Sequence, residues 1–306
     1  MKKRYFVLCM LFGGLALQAQ DQVIFMHYHL SPILVNPAAA GFDDDHQLHL
    51  NFRNQWTGFP GAPTTYSVNY HGALGRTLGL GGSILSENIA SMNRIRMQLN
   101  YAFRFEFDDI KLAGGFSTEF HTMRLNASAG NNVFSDPGDP LLANFMDGQK
   151  IFDVSLGFFG SFKEKGYVGL AFPNLVVAKI NDIESGEAQG DLFRYFVFQG
   201  GYRFLLEEYN FSLEPSFMMR QVLESPFLYD FNLKAGFLED RFVTGLSYRA
   251  GLGGALGILL GTEFSGLRVY YSFDIAFQPF QQYNSGAHEV TVGFQFGGKK
   301  GNQHGR

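Results

Sequence analysis

The sequence predicts an all-β fold, a transmembrane antiparallel β-barrel of about fourteen strands with both termini on the periplasmic side. Three observations predict it. Segments of roughly ten residues alternate oily and polar side chains, as a strand crossing lipid requires. The connections between those segments alternate short and long. The chain opens on a secretory leader, and no later apolar run is long enough for a membrane-spanning helix.

The elements follow in order. Lys2, Lys3 and Arg4 form a positive start, residues 5–17 an apolar stretch, and Ala19 a small residue for cleavage, so residues 1–19 read as a signal peptide. Cys9, the single cysteine, lies inside it and lacks the small residues that precede a lipoprotein cysteine. The mature chain therefore has neither disulfide nor thiolate chemistry. Residues 20–45, with Pro32 and Pro37, are too polar and turn-rich for lipid and form a periplasmic strap or a plug. The barrel occupies residues 46–296 and a basic-and-polar periplasmic tail residues 297–306. Within the barrel the strands are expected at 46–54, 63–71, 78–87, 93–106, 109–123, 150–162, 166–173, 191–206, 209–220, 227–237, 241–250, 255–264, 267–277 and 288–296.

The clearest strand sets Leu267, Val269, Tyr271, Phe273, Ile275 and Phe277 against Arg268, Tyr270, Ser272, Asp274 and Ala276. The segments 94–105, 227–237 and 288–296 repeat the pattern. Residues 193–204 are aromatic on both faces, and Gly200-Gly201 is the expected place for a bulge that swaps them. Links after even strands are tight, among them Asp108-Asp109, Glu164-Lys165, Glu239-Asp240 and Ser265-Gly266, except that after the second strand, Gly72 to Thr77, which is a little longer. Links after odd strands include the two longest, 124–149 and 173–190. A secreted soluble β-protein alternates along its strands in the same way, but has no reason to show that parity of loops. Bacterial barrels do, with short periplasmic turns, long external loops and an even strand number.

If the oily face meets lipid, the other lines the lumen. It carries Arg53, Arg94, Arg96, Arg104, Glu119, Glu214, Lys234, Arg249, Arg268 and Asp274. This mixture of signs disfavours a greasy conduit and allows either a water-filled pore or a plugged lumen. Charges that satisfy one another explain it more simply than ion selection, which would call for a ring of one sign. A net charge of −4, with no basic block, gives no reason to expect nucleic acid.

Sites for chemistry are sparse. Asp43-Asp44-Asp45 lacks the spacing of an EF-hand loop and reads as an acidic turn. His27, His29, His46 and His49 lie close in sequence, but no thiolate or clear carboxylate accompanies them as a metal ligand. Asp136-Pro137-Gly138-Asp139-Pro140 is turn chemistry in an external loop. There is no Gly-x-Ser-x-Gly elbow. The glycines of 79–82 and 251–257 belong to strands, not to phosphate loops. No catalytic residue, metal, cofactor or small-molecule substrate is expected.

Several motifs resemble one known family. Asn36-Pro37-Ala38-Ala39-Ala40-Gly41 is similar to the "NPAxAG" opening of the PorP/SprF family of type IX secretion proteins. Phe52-Arg53-Asn54-Gln55-Trp56-Thr57-Gly58-Phe59-Pro60-Gly61-Ala62-Pro63-Thr64-Thr65, followed by His71, resembles its most specific signature. Tyr167-Val168-Gly169-Leu170 with Pro173-Asn174-Leu175 also fits, as do Leu213-Glu214-Pro215-Ser216, Asp240-Arg241-Phe242 and Ser285-Gly286-Ala287-His288-Glu289. Ala287, where serine is expected, and the tail after Phe296 depart from it. The resemblance implies a non-enzymatic protein of the outer membrane and its lipid. It would work with type IX secretion components and assist export or surface anchoring of a cargo protein, such as a large gliding adhesin. Asn36, Pro37, Trp56, Phe59 and Pro60 are the candidate partner contacts, Trp56 serving equally well as an interfacial anchor. The alternative is a general diffusion porin or nutrient transporter, which needs a clear lumen. An outer-membrane hydrolase would need an essential serine or histidine.

Overall fold

A computed structural model describes residues 25–126, 140–179, 195–222, 226–251 and 254–297. The expected leader, the tail beyond Gly297 and the turn Asp136-Pro137-Gly138-Asp139 lie outside them. The strands are β1 (His46–Asn54), β2 (Thr64–Leu74), β3 (Leu78–Ile89), β4 (Met92–Phe107), β5 (Ile110–Leu125), β6 (Gln149–Phe162) and β7 (Gly166–Lys179). Next come β8 (Tyr195–Tyr202, continued in the same register by Phe204–Leu206), β9 (Phe211–Val222), β10 (Leu228–Phe237) and β11 (Phe242–Ala250). The series ends with β12 (Ala255–Phe264), β13 (Leu267–Ala276) and β14 (Ala287–Phe296). Each strand pairs antiparallel with its sequence neighbours, and β14 pairs with β1, so the sheet closes as a fourteen-stranded barrel. Closure leaves no edge, the only way a sheet satisfies its backbone inside lipid. No described helix is long and apolar enough to cross a membrane.

Strand periodicity sorts the side chains by face. On β4, Ile95, Met97, Leu99, Phe103 and Phe105 are exposed, whereas Arg94, Asn100, Ala102 and Arg104 are buried. On β2, Tyr66, Val68 and Tyr70 face outward, while Thr65, Ser67, Asn69 and His71 face in. The molecule is inside-out compared with a water-soluble protein, as an outer-membrane barrel must be.

The tight hairpins form where the chain accepts left-handed backbone. Ser265 and Gly266 have φ of 50° and 83°, the pattern of a two-residue turn that matches strand twist. Asp108, Lys163, Glu164, Leu238, Glu239 and Asp240 also have positive φ. At the opposite end lie the longer connections, plus a tight turn at Ala90-Ser91 and a short helix, α1 (Pro140–Asp147), that the alternation did not foretell.

The expected bulge is not at Gly200-Gly201. Gly200 pairs with Phe217 and Gly201 with Ser216 without a shift. The glycines are there for packing, because a Cβ on Gly201 would lie 2.7 Å from the Tyr167 ring. The irregularity lies instead between β6 and β7, where Pro173, Asn174 and Leu175 stand opposite Ser155 alone. Pro173 has no N–H for the ladder, and Asn174 takes φ of 57°. The expected strand 166–173 therefore continues past Pro173 to Lys179.

Residues 25–45 fill part of the lumen. They make three single turns of 3-10 helix, η1 (His27–His29), η2 (Pro32–Leu34) and η3 (Pro37–Ala39), the last two opened by proline. The apolar clusters of the interior form where this plug meets the wall. Ala38, Ala39 and Phe42 pack on Ala113 and Phe159. Tyr28 packs on Ala171, Val197 and Met218, and Ile33 and Ala40 on Ala102.

Candidate functional site: the plugged lumen and its rim

The plug lies close to the wall because the wall gives way to it. A Cβ on Gly79 would fall 1.9 Å from the Ala40 carbonyl oxygen. On Gly115 it would meet the Ala38 Cα at 2.7 Å, on Gly157 the Asn36 Oδ1 at 2.1 Å, and on Gly257 the Met26 Cε at 2.3 Å. Strand glycine is otherwise a weakening choice, so these inward glycines mark a seat shaped for backbone approach.

Polar fastenings hold the plug in that seat. Glu289, fully buried on β14, accepts the backbone N–H groups of Met26 at 2.8 Å and His27 at 3.2 Å. Its charge is balanced by Arg53 of β1, whose Nη1 lies 2.8 Å away and whose Nη2 reaches Asp274 at 3.1 Å. Asn51 donates to Glu289 at 2.8 Å and to Thr291 at 2.7 Å. The Thr291 hydroxyl lies 2.7 Å from His27 Nδ1. At the middle of the plug, Asn36 Nδ2 donates to the Phe158 carbonyl at 2.9 Å, while its Oδ1 caps η3 through Ala38 N–H at 3.0 Å. At its end, Arg104 donates to the Gly41 carbonyl at 2.6 Å and pairs with Asp44, which also holds Lys111 at 2.5 Å. Charge-assisted bonds of this kind are the strong ones, and severing one partner strands a buried charge.

Burial sets the protonation of the plug histidines. It holds His27 below the ordinary histidine range even though the Glu289 carboxylate pulls the other way. It lowers His29 to about 3, with Lys234 adding to the effect. Burial alone would push the Asp44 carboxyl up, but the hydrogen bonds from Lys111 and Arg104 outweigh it and hold Asp44 below the carboxylate range.

All ten expected lumen residues lie on the inward face. Most are paired straight across the sheet. Arg53 stands opposite Glu289, Lys234 opposite Glu214 and Arg249 opposite Asp230. Arg94 stands opposite Glu87 and Arg268 opposite Glu263. Arg96 lies 3.5 Å from Glu119. Sequence reasoning missed Glu289, Asn51 and Arg220, although their alternation with Val290, Phe52 and Met219 marks the same inward face. Among the described residues, each of the four histidines weighed as ligands has a partner of its own. His27 bonds Thr291, His29 the Met26 carbonyl, His46 the Tyr70 hydroxyl and His49 the Asn69 side chain.

The five expected partner contacts divide. Asn36 and Pro37 are buried in the lumen, so the structure places them as plug anchors and not on a surface. Trp56, Phe59 and Pro60 are exposed on the β1–β2 loop at the long-loop end. That loop is stapled to the β13–β14 loop, Thr57 N–H to the Gly286 carbonyl and Ser285 N–H to the Thr57 carbonyl, both at 2.8 Å. It also receives Ala90 N–H on the Gly61 carbonyl at 2.8 Å. Two separated motif segments thus form one rim, with Tyr283 exposed beside them.

Among solved structures, the chain is similar to the KdgM porin, with 8% identity over 82% of this chain and 99% of that one, at a TM-score of 0.42. It is similar to the outer membrane protein Omp33 of Acinetobacter baumannii at 8% identity, 84% and 99% coverage and a TM-score of 0.46. The same score, at 9% identity and 90% and 94% coverage, relates it to the toluene transporter TodX of Pseudomonas putida. These likenesses decide nothing about substrate or cargo. No curated protein matches the chain. A family model does, over residues 17–294, and its description is type IX secretion system membrane protein PorP/SprF. That span takes in both the plug and the barrel wall, and a closed barrel with an oily exterior has its place in the outer membrane. The chain belongs to the PorP/SprF family of type IX secretion system membrane proteins.

Proposed function

We propose that this protein is a non-enzymatic, plugged barrel that serves the type IX machinery from its rim, assisting export or surface anchoring of a cargo protein such as a large adhesin. The observation that carries this reading is the occupied lumen. A segment continuous with the wall is fastened there through Glu289, Arg53, Asn36 and Arg104. A barrel closed in this way is better suited to holding a partner than to passing solutes, and a general diffusion porin has no use for such fastenings. The rim offers Trp56, Phe59 and Pro60 on a backbone stapled to its neighbour, and rigid exposed aromatic side chains are efficient binding anchors. In this reading the short turns and both ends of the wall face the periplasm, residues 1–19 are a removed leader, and residues 297–306 lie on the periplasmic side.

The test is an affinity pulldown of the tagged protein from solubilised outer membranes, with mass spectrometry of what accompanies it. Type IX components or one very large secreted protein are expected, and W56A/F59A is expected to lose them while the barrel still folds. Recovery of the barrel alone, together with steady conductance in a planar bilayer, would instead favour the porin.

A further inference from the structure

Six inward arginines, Arg53, Arg94, Arg96, Arg104, Arg249 and Arg268, each have a carboxylate within ion-pair distance. Arg220 on β9 has none among the described residues. The residues straight across from it are Val197 on β8 and Leu228 on β10. It is only 4% exposed, and its Nε and Nη2 have no hydrogen-bond partner among the described residues. The neighbouring carboxylate, Asp230, accepts from Arg249 Nε at 2.7 Å through Oδ1. Its Oδ2, also without a hydrogen-bond partner among the described residues, is not within ion-pair distance of Arg220, so two guanidinium groups share one carboxylate.

A buried guanidinium left in this state is costly unless an anion completes it. Space for one adjoins it. Arg220 lines a cavity of about 100 Å³ on the long-loop side of the plug, floored by Ile33, Leu34 and Val35. Ser67 and Asn69 share this cavity, and Ser67 Oγ and Asn69 Nδ2 also lack partners among the described residues. Glu119 is its one acidic lining residue, and it is engaged by Arg96 at 3.5 Å and His121 at 3.3 Å. A negative group entering there meets the Arg220 guanidinium, which no described carboxylate approaches within ion-pair distance, and no carboxylate of the lining except the engaged Glu119. The volume suits a carboxylate or another small oxyanion, or the acidic tip of an extended chain, and excludes a folded domain.

We propose that Arg220 anchors an oxyanion site in the lumen above the plug, one that takes a carboxylate-sized group. This inference stands apart from the secretion reading, because it concerns the lumen and not the rim. The guanidinium can grip two oxygens at once, which lysine cannot do.

The test is thermal unfolding of the full chain in detergent, at fixed pH and ionic strength. The probes are sodium acetate and the tetrapeptide Gly-Gly-Asp-Gly, with sodium chloride as reference. The wild type is expected to gain ~5 °C or more in Tm at about 100 times Kd, the gain rising with the logarithm of probe concentration. R220Q is expected to gain nothing from the same probe. R220M, which removes the unpaired charge, is expected to melt at or above the wild type in chloride alone. A gain from acetate that R220Q lacks identifies a free oxyanion as sufficient. A response to the peptide alone identifies an acidic chain as the source. An equal gain in R220Q, an adventitious ion only, overturns the proposal. So does a wild type indifferent to both probes, or an R220M that melts well below the wild type in chloride.

Discussion

Glu289 stabilises the plug by accepting two backbone N–H groups that would otherwise be buried without acceptors, and Arg53 makes that burial tolerable. Removing the charge while keeping the shape separates these roles. Glu289→Gln is expected to cost about 3 kcal/mol of stability, because Arg53 is left with Asp274 alone. Arg53→Gln is expected to cost as much, and the double variant distinctly less than their sum. Urea unfolding in detergent checks this, and strictly additive losses would show that the pair is not coupled. The plug histidines make a second prediction. Both have lowered values in the fold, so they are neutral when seated and gain protons on release. Release takes up protons between about 3, the folded value of His29, and its ordinary 6.5. Seating is therefore level above that window and weakens as pH falls through it. Asp44 adds the same sign lower down, its contribution being lost as pH drops through its depressed value. Hydrogen exchange at the Met26 and His27 amides, corrected for intrinsic rate, is expected to lose protection on acidification from neutral pH. Flat protection down to the carboxylate range would contradict it.

At the scale of elements, three short 3-10 turns with little internal hydrogen bonding are held by their seat, not by helix propensity. The seat is made of absent side chains. Gly115→Ala would set a Cβ 2.7 Å from Ala38 Cα, against backbone that cannot rotate away. The neighbouring Gly114 points outward, where a Cβ meets only the Phe158 ring at 4.0 Å. Gly115→Ala is thus expected to lower plug protection by about 1–3 kcal/mol, and Gly114→Ala to leave it unchanged. If both variants behave alike, the glycine seat is not what admits the plug. The β6–β7 irregularity belongs to this scale too. Proline and a left-handed asparagine produced it, whereas Gly200 and Gly201, the obvious breakers, keep register to clear aromatic rings.

For the whole molecule, closure of β14 on β1 brings the two ends of the chain's wall together and places Glu289 opposite Arg53. The plug then occupies a lumen whose wall is mostly polar, with apolar patches where the plug packs. Deleting residues 25–45 is expected to leave a closed barrel with a wide water-filled lumen. Planar-bilayer recordings should show large, steady conductance for the deletion and little for the full chain. Equal conductance for the two would mean that the plug does not occlude the barrel.

The barrel itself was legible in the sequence because its signal is local. Alternation is a property of neighbouring residues, and hairpin partners such as Glu263 and Arg268, or Glu87 and Arg94, follow from counting outward from a turn. The rim loop was legible through a contiguous motif. The placement of residues 20–45 was not, and stayed open between strap and plug, because nothing along those residues says which surface they meet. Asn36 and Pro37 look like loop residues until Gly157 and the Phe158 carbonyl, more than a hundred positions away, surround them. Arg220 looks like one more lumen charge until both of its cross-strand neighbours prove apolar. The sequence by itself determined the period, the parity and the polarity of the wall, since each is set by adjacent residues. Only the tertiary structure decided which charges are spoken for and what fills the barrel, since these depend on contacts that exist once the sheet has closed.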